Sequence, residues 1–173
     1  RRNLAGPYRI AVTAALFRAA ALPVILMVCH DLGGGVRLHV ARLVARLAGR
    51  AHCLLLLATA RGSELSVPAV PDHPVLDLPA ERLDDLARVL RSAGVGRVHV
   101  HHLSGMDMDI RLLIDRLGVG FDVTVHDYFG ICPQINLLPW LDGPYCGEPG
   151  PAACNACIAD RPSHGARDIL AWR

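Results

Sequence analysis

Two continuous apolar runs, VILMVC at residues 24–29 and HCLLLLAT at residues 52–59, set the limits on what this chain can fold into. A strand with one wet face alternates apolar and polar residues, whereas a strand covered on both faces is apolar throughout. Each run is far shorter than a membrane-spanning helix requires. Between them, Val36, Val40, Leu43 and Leu47 fall on one helical stripe and Arg37, Arg42 and Arg46 lie off it, with Gly49 placed to end the helix. Strand, amphipathic helix and strand in this order form a parallel unit with a right-handed crossover.

The alternation continues. Ala80–Arg91 reads as a helix with Leu83, Leu86, Ala87 and Leu90 inward, and RVHVHHL (97–103) as a strand. Met106–Leu117 reads as a helix stopped by Gly118, and DVTVHD (122–127) as the last strand. Residues 61–79 carry Gly62, Pro68, Pro71, Pro74 and Pro79, so they read as connection with a short strand at Val75–Leu78. The expected fold class is α/β, a doubly wound parallel sheet of roughly five to seven strands, with a cysteine-rich, loop-rich C-terminal extension.

Four regions follow: an N-terminal helix or linker (1–23, helical over Tyr8–Ala20), a Rossmann-like domain (24–130), a cysteine-rich metal-binding insertion (131–160), and the start of a further helix at which a fragment ends (161–173). The stretch Ile10–Cys29 is apolar enough to raise a membrane span, but Arg18 and Pro23 interrupt it and it shows no signal-peptide cleavage pattern. A cytoplasmic location is expected, where thiols stay reduced. The net charge of +2 argues against nucleic acid as a partner. All 18 residues counted as Lys or Arg are Arg, which fits the codon usage of a GC-rich bacterial genome rather than any arginine chemistry.

In such sheets ligands bind outside the carboxyl ends of the strands. The residues there are polar: His30, Asp31 and Gly33–Gly35; His102, Ser104 and Gly105; His126, Asp127 and Tyr128. Glycines between a strand and a helix let a phosphate approach the unpaired N–H groups of the helix N-terminus. The dinucleotide fingerprint fails, because its third glycine position is Leu38, and a P-loop would need a lysine. The plainer reading is a tight turn. His99 and His101 share a face by the period of two, as a chelating pair or as two hydrogen-bonded structural residues. His102, and His126 followed by Asp127, are better placed for a sugar hydroxyl or phosphate oxygen.

Cys29 and Cys53 sit inside apolar runs as small core residues. Cys132, Cys146, Cys154 and Cys157 stand among Pro, Gly and Asn in the spacing C-x13-C-x7-C-x2-C. A segment this poor in regular structure lacks the apolar content to fold alone, and four thiolates on a structural zinc ion would supply the missing order. Two disulfides in an exported chain, free thiols, or an iron–sulfur cluster are the other occupants, and His164 is a substitute ligand. A closed four-cysteine site has no open position, so a zinc ion there is not the catalyst.

GGVRLHV (34–40), VHVHHLSG (98–105) and TVHDYFGICPQINLL (124–138), in this order and spacing, resemble the amino-terminal domain of retaining glycosyltransferases of the GT-B fold. The family is the large one that includes bacterial mannosyltransferases and capsule or lipopolysaccharide glycosyltransferases. The segment HDYFGICPQINLL…YCGEP…CNAC is similar to a cysteine-bearing insertion in a subset of them, and the likeness covers roughly residues 24 to 160. The resemblance implies a hexosyltransferase using a nucleotide-sugar donor and a saccharide or glycolipid acceptor. Gly34 and Gly35 would meet the donor diphosphate, His126 and Asp127 would lie at the transferred sugar or the acceptor, and His102 and His39 would lie near the acceptor side. It also implies a second, carboxy-terminal donor-binding domain beyond Arg173, an inactive chain in its absence, and peripheral association of the whole enzyme with the inner face of the membrane. The alternative is a non-catalytic, zinc-stabilised Rossmann-like interaction module.

Overall fold

The computed structural model describes residues 21–60, 62–68, 76–78, 82–140 and 142–173, so the helix expected at Tyr8–Ala20 lies outside the described residues. The chain divides into two compact units, Arg1–Thr124 and Val125–Arg173.

The first unit runs β1 (Val24–His30), α1 (Gly34–Leu47), β2 (His52–Thr59), β3 (Gly62–Ser66), β4 (Leu76–Leu78), α2 (Leu83–Ser92), β5 (Val95–Val100), α3 (Ile110–Leu117) and β6 (Gly120–Val123). Its strands form one six-stranded sheet in the order β4-β3-β2-β1-β5-β6. β1 pairs in parallel with β2 and with β5, and β5 in parallel with β6. The apolar runs explain this centre. Leu26, Val28, Leu54, Leu56, Val98 and Val100 bury against Leu86 and Leu90 of α2 and Leu113 and Leu117 of α3. Met27, Cys29, Cys53, Leu55 and Leu57 face the other way, onto Val36, Val40, Leu43 and Leu47 of α1. Helices therefore cover both faces, as the unbroken apolar runs require.

The sheet is not wholly parallel, which corrects the expectation for residues 61–79. β3 returns antiparallel along β2, and β4 antiparallel along β3. The connection after Thr59 is too short for a crossover, so the next strand can only turn back. Gly62 takes φ +113° in that turn, and the Thr59 hydroxyl donates to its carbonyl at 3.0 Å. The prolines further along masked the alternation of buried Ser63 and Leu65 with half-buried Glu64.

α3 begins at Ile110, not Met106, because the extended Asp109 caps it, its carboxylate accepting from Leu112 N–H at 3.0 Å. The left-handed Gly118 ends it. β6 stops at Val123, and all four of its residues are exposed, as befits an edge strand.

The second unit contains α4 (Pro151–Asp160) and α5 (Ile169–Trp172), with loops before and between them. The C-terminal extension was expected to be loop-rich; its last two cysteines lie instead on the regular helix α4, started by Pro151 after Gly150. No helix among the described residues is long and apolar enough to cross a membrane.

Leu54 is 1% exposed and pairs with Leu26 at the centre of the sheet. Leu54→Ala is expected to cost about 2–5 kcal/mol, read as a lowered urea midpoint at unchanged slope. A loss within the scatter of surface substitutions would contradict this placement of the core.

Candidate functional site

The order β2-β1-β5 places the reversal of chain direction between β1 and β5, and the crevice of such a sheet opens there, at the carboxyl ends of those strands. β1 hands over to α1 through Asp31–Gly33. Asp31 N–H still pairs with Ala58 O at 2.9 Å, and Asp31 holds Arg37 at 3.0 Å. Gly33, the residue before α1, takes φ 77° and ψ −150°, and Gly34 takes φ 70°, backbone that disfavours any side chain. Gly35 differs. Its φ is ordinary, and a Cβ built there meets nothing within 4 Å, so neither backbone nor neighbours demand glycine. No side chain caps α1, and its first turn has no acidic residue, so the N–H groups and the positive end of the helix dipole are presented to an anion.

Two histidines stand at the ends of the flanking strands. His30 closes β1 and His102 follows β5; both are buried, and their rings meet edge to face at 4.7 Å. His30 Nδ1 accepts from Leu32 N–H at 3.2 Å and His102 Nδ1 from Ser104 N–H at 3.0 Å. An accepting Nδ1 puts the proton of a neutral ring on Nε2, making Nε2–H a donor in both.

Three other histidines of this unit form a second group. His99 and His101 share a face as expected, with ring centroids at 4.1 Å, and His39 of α1 comes to 5.5 Å from His101. His102 and His39, expected together on the acceptor side, thus belong to different groups. His99 Nε2 lies 2.8 Å from Thr124 Oγ1. Burial holds the His99 pKa below 6.5; Asp122 opposes this, while His39 and Arg97 add to it. Cys29 behaves as a core thiol, pushed up to about 11 by burial against the pull of Arg37.

In the second unit, His126 and Asp127 are half-buried, and Asp127 Oδ1 accepts from Phe129 N–H at 2.9 Å, closing an Asx turn. Cys132, Cys146, Cys154 and Cys157, all half-buried, line one cavity of about 190 Å³. The Cys157 thiol is raised by burial and by Cys132, Cys154 and Cys146 around it, with Arg161 pulling the other way. Ile135, Leu137 and Glu148 hold φ of 69°, 60° and 50°, each a cost of roughly 1–3 kcal/mol for a non-glycine residue.

Sequence reasoning missed the residues that brace this cavity. The Arg161 guanidinium donates to Leu138 O at 3.2 Å and Pro139 O at 3.1 Å, and Gln134 Nε2 donates to Arg161 O at 2.6 Å. Gln134 is 6% exposed, and its Oε1 is buried with no hydrogen-bond partner. Neither residue lies on a periodic stripe, and their partners are main-chain carbonyls, so no spacing pattern marks them.

Comparison with protein-family models, curated proteins and solved structures found no match to this chain.

The lowered His99 pKa has a sign. Below pH 6.5 the unfolded chain protonates this ring more readily than the folded one, so stability falls as pH drops, while its contribution is fully present above 6.5. The urea midpoint is expected to decline below that pH, and to decline less in His99→Gln. Equal declines in both proteins would remove His99 as the cause.

Proposed function

We propose that this chain forms the acceptor-side half of a glycosyltransferase, which moves a sugar from a nucleotide-sugar donor to a bacterial surface polysaccharide or glycolipid. The observation that carries the reading is Gly35. It sits in the first turn of an uncapped helix at the reversal point of the sheet, and nothing within the unit requires a glycine there. A diphosphate approaching the N–H groups of that turn would require one. His30 and His102, imidazoles at the carboxyl ends of the two flanking strands, stand where the oxygen-rich surface of a sugar or phosphate would lie. The sequence resemblance supplies the reaction class and the roles of His126 and Asp127 at the reacting sugar or the acceptor.

A donor-binding domain across the cleft belongs to the same proposal, since orientation of two bound substrates supplies much of the barrier reduction. The whole enzyme would work at the cytoplasmic face of the membrane. The four cysteines of the second unit would hold a metal centre, zinc being the expectation from the sequence, that orders the mouth of the acceptor site.

Inorganic pyrophosphate is expected to shift the backbone amide resonances of Gly34, Gly35 and Val36 weakly and saturably. Gly35→Val should abolish these shifts without lowering the denaturation midpoint, because the new side chain projects into open space. No shift in the natural chain, or shifts retained in the variant, would refute the diphosphate site. The chain alone is expected to turn over no sugar nucleotide; measurable turnover would overturn its assignment as a half-site.

A further inference from the structure

The second unit spans Val125–Arg173, yet beside Pro133 only Leu137, Ile158 and Ile169 bury apolar side chains among its described residues. A segment with so small a core needs another source of cohesion. What its strained loops and α4 build instead is a cavity of about 190 Å³ with a cysteine from each of the two loops before α4 and two from α4 itself. Cys132 comes from the first loop and Cys146 from the second, the latter tied back by its N–H to Leu137 O at 3.0 Å, and Cys154 and Cys157 come from α4.

The spacing of the thiols decides the guest. One zinc ion holds sulfur at about 2.3 Å, so the sulfurs of a tetrahedral site stand about 3.8 Å apart. Here no three of the four Sγ atoms lie within 4.8 Å of one another, and none is paired in a disulfide. Cys154 and Cys157, three residues apart on α4, lie on one side of that helix and both line the cavity. A 4Fe–4S cluster takes one thiolate on each of four irons, so its ligands ring a body much larger than an ion. The walls between the cysteines are apolar, with Ile131, Leu138, Pro139 and Ile158 among them, as suits a cluster that must be kept from water. Arg173 lines the cavity and Arg161 stands near Cys157, offsetting the negative charge of four thiolates.

We propose that Cys132, Cys146, Cys154 and Cys157 ligate a 4Fe–4S cluster seated in this cavity. The inference deepens the metal-centre part of the function proposed above: it rests on the four thiolates being metal ligands and is independent of glycosyl transfer.

The test is iron, acid-labile sulfide and zinc analysis of the whole chain purified without oxygen or chelator, with visible absorption and an electron paramagnetic resonance spectrum after dithionite reduction. About four irons and four sulfides per chain are expected, with broad sulfur-to-iron absorption bleached on reduction and a paramagnetic signal from the reduced cluster. Cys146→Ser and Cys154→Ser should each lose most of the iron. Cys53→Ser, at a buried core thiol of the first unit, should keep it, which separates loss of a ligand from general destabilisation. One zinc per chain without labile sulfide would overturn the cluster and leave the metal centre standing. Four alkylatable thiols and no metal of either kind would overturn both.

Discussion

The parallel pairing of β1 between β2 and β5 is the constraint on which the rest depends. Every other strand is added outward from these three, and both apolar cores are anchored on β1 and β2: Leu26 and Leu54 face one core, Met27 and Cys53 the other. Each fully buried Leu or Met contributes about 1.5–3 kcal/mol, so the two faces together fix the register of the centre. The position of the candidate crevice is a consequence. Because the chain leaves β1 toward β2 and later returns on the far side as β5, the carboxyl ends of β1 and β5 diverge in connectivity while staying adjacent in space. Gly33–Gly35, His30 and His102 stand there because the topology leaves that place open.

The two units are held together by different forces. In the first, burial dominates and the polar groups at the strand ends are arranged around it. In the second, apolar burial is minor and main-chain carbonyls are tied down by single side chains. Arg161 gathers Leu138 and Pro139, Trp172 Nε1 donates to Phe129 O at 2.7 Å, and Asn155 joins Asp168 to the start of α5, its Nδ2 donating at 2.6 Å and its Oδ1 accepting from Ile169 N–H at 2.8 Å. Such a lattice orders loops but leaves them strained, as the positive φ of Ile135 and Leu137 shows. A metal centre bound by four thiolates is the kind of interaction that would offset that strain.

Much of the fold was legible because its signals are local and periodic. β2 was read at its observed limits, α1 within two residues of its start, and the inward stripe of α2 was assigned correctly through Leu86 and Leu90. What was misread was set by a single competing interaction each time. Asp109 shortened α3 by capping it, and a turn too short for a crossover made β3 an antiparallel strand inside a proline-rich stretch. For the site, the glycine loop and the strand-end histidines were legible from position along the chain. The division of the histidines into two groups was not, since it depends on where α1 crosses the sheet and brings His39 against His101 rather than His102.

By itself the sequence determined the α/β class, the doubly covered strands and the clustering of four thiols in one segment, because hydrophobic period and residue spacing act over a few neighbours and are written directly in the chain. Only the tertiary structure decided that Gly35 is unneeded by its surroundings, that His30 and His102 meet, and that the four thiols stand around a cavity instead of a point. Those facts are distances between residues far apart in sequence. They are set by how helices and loops pack, and no local pattern encodes them.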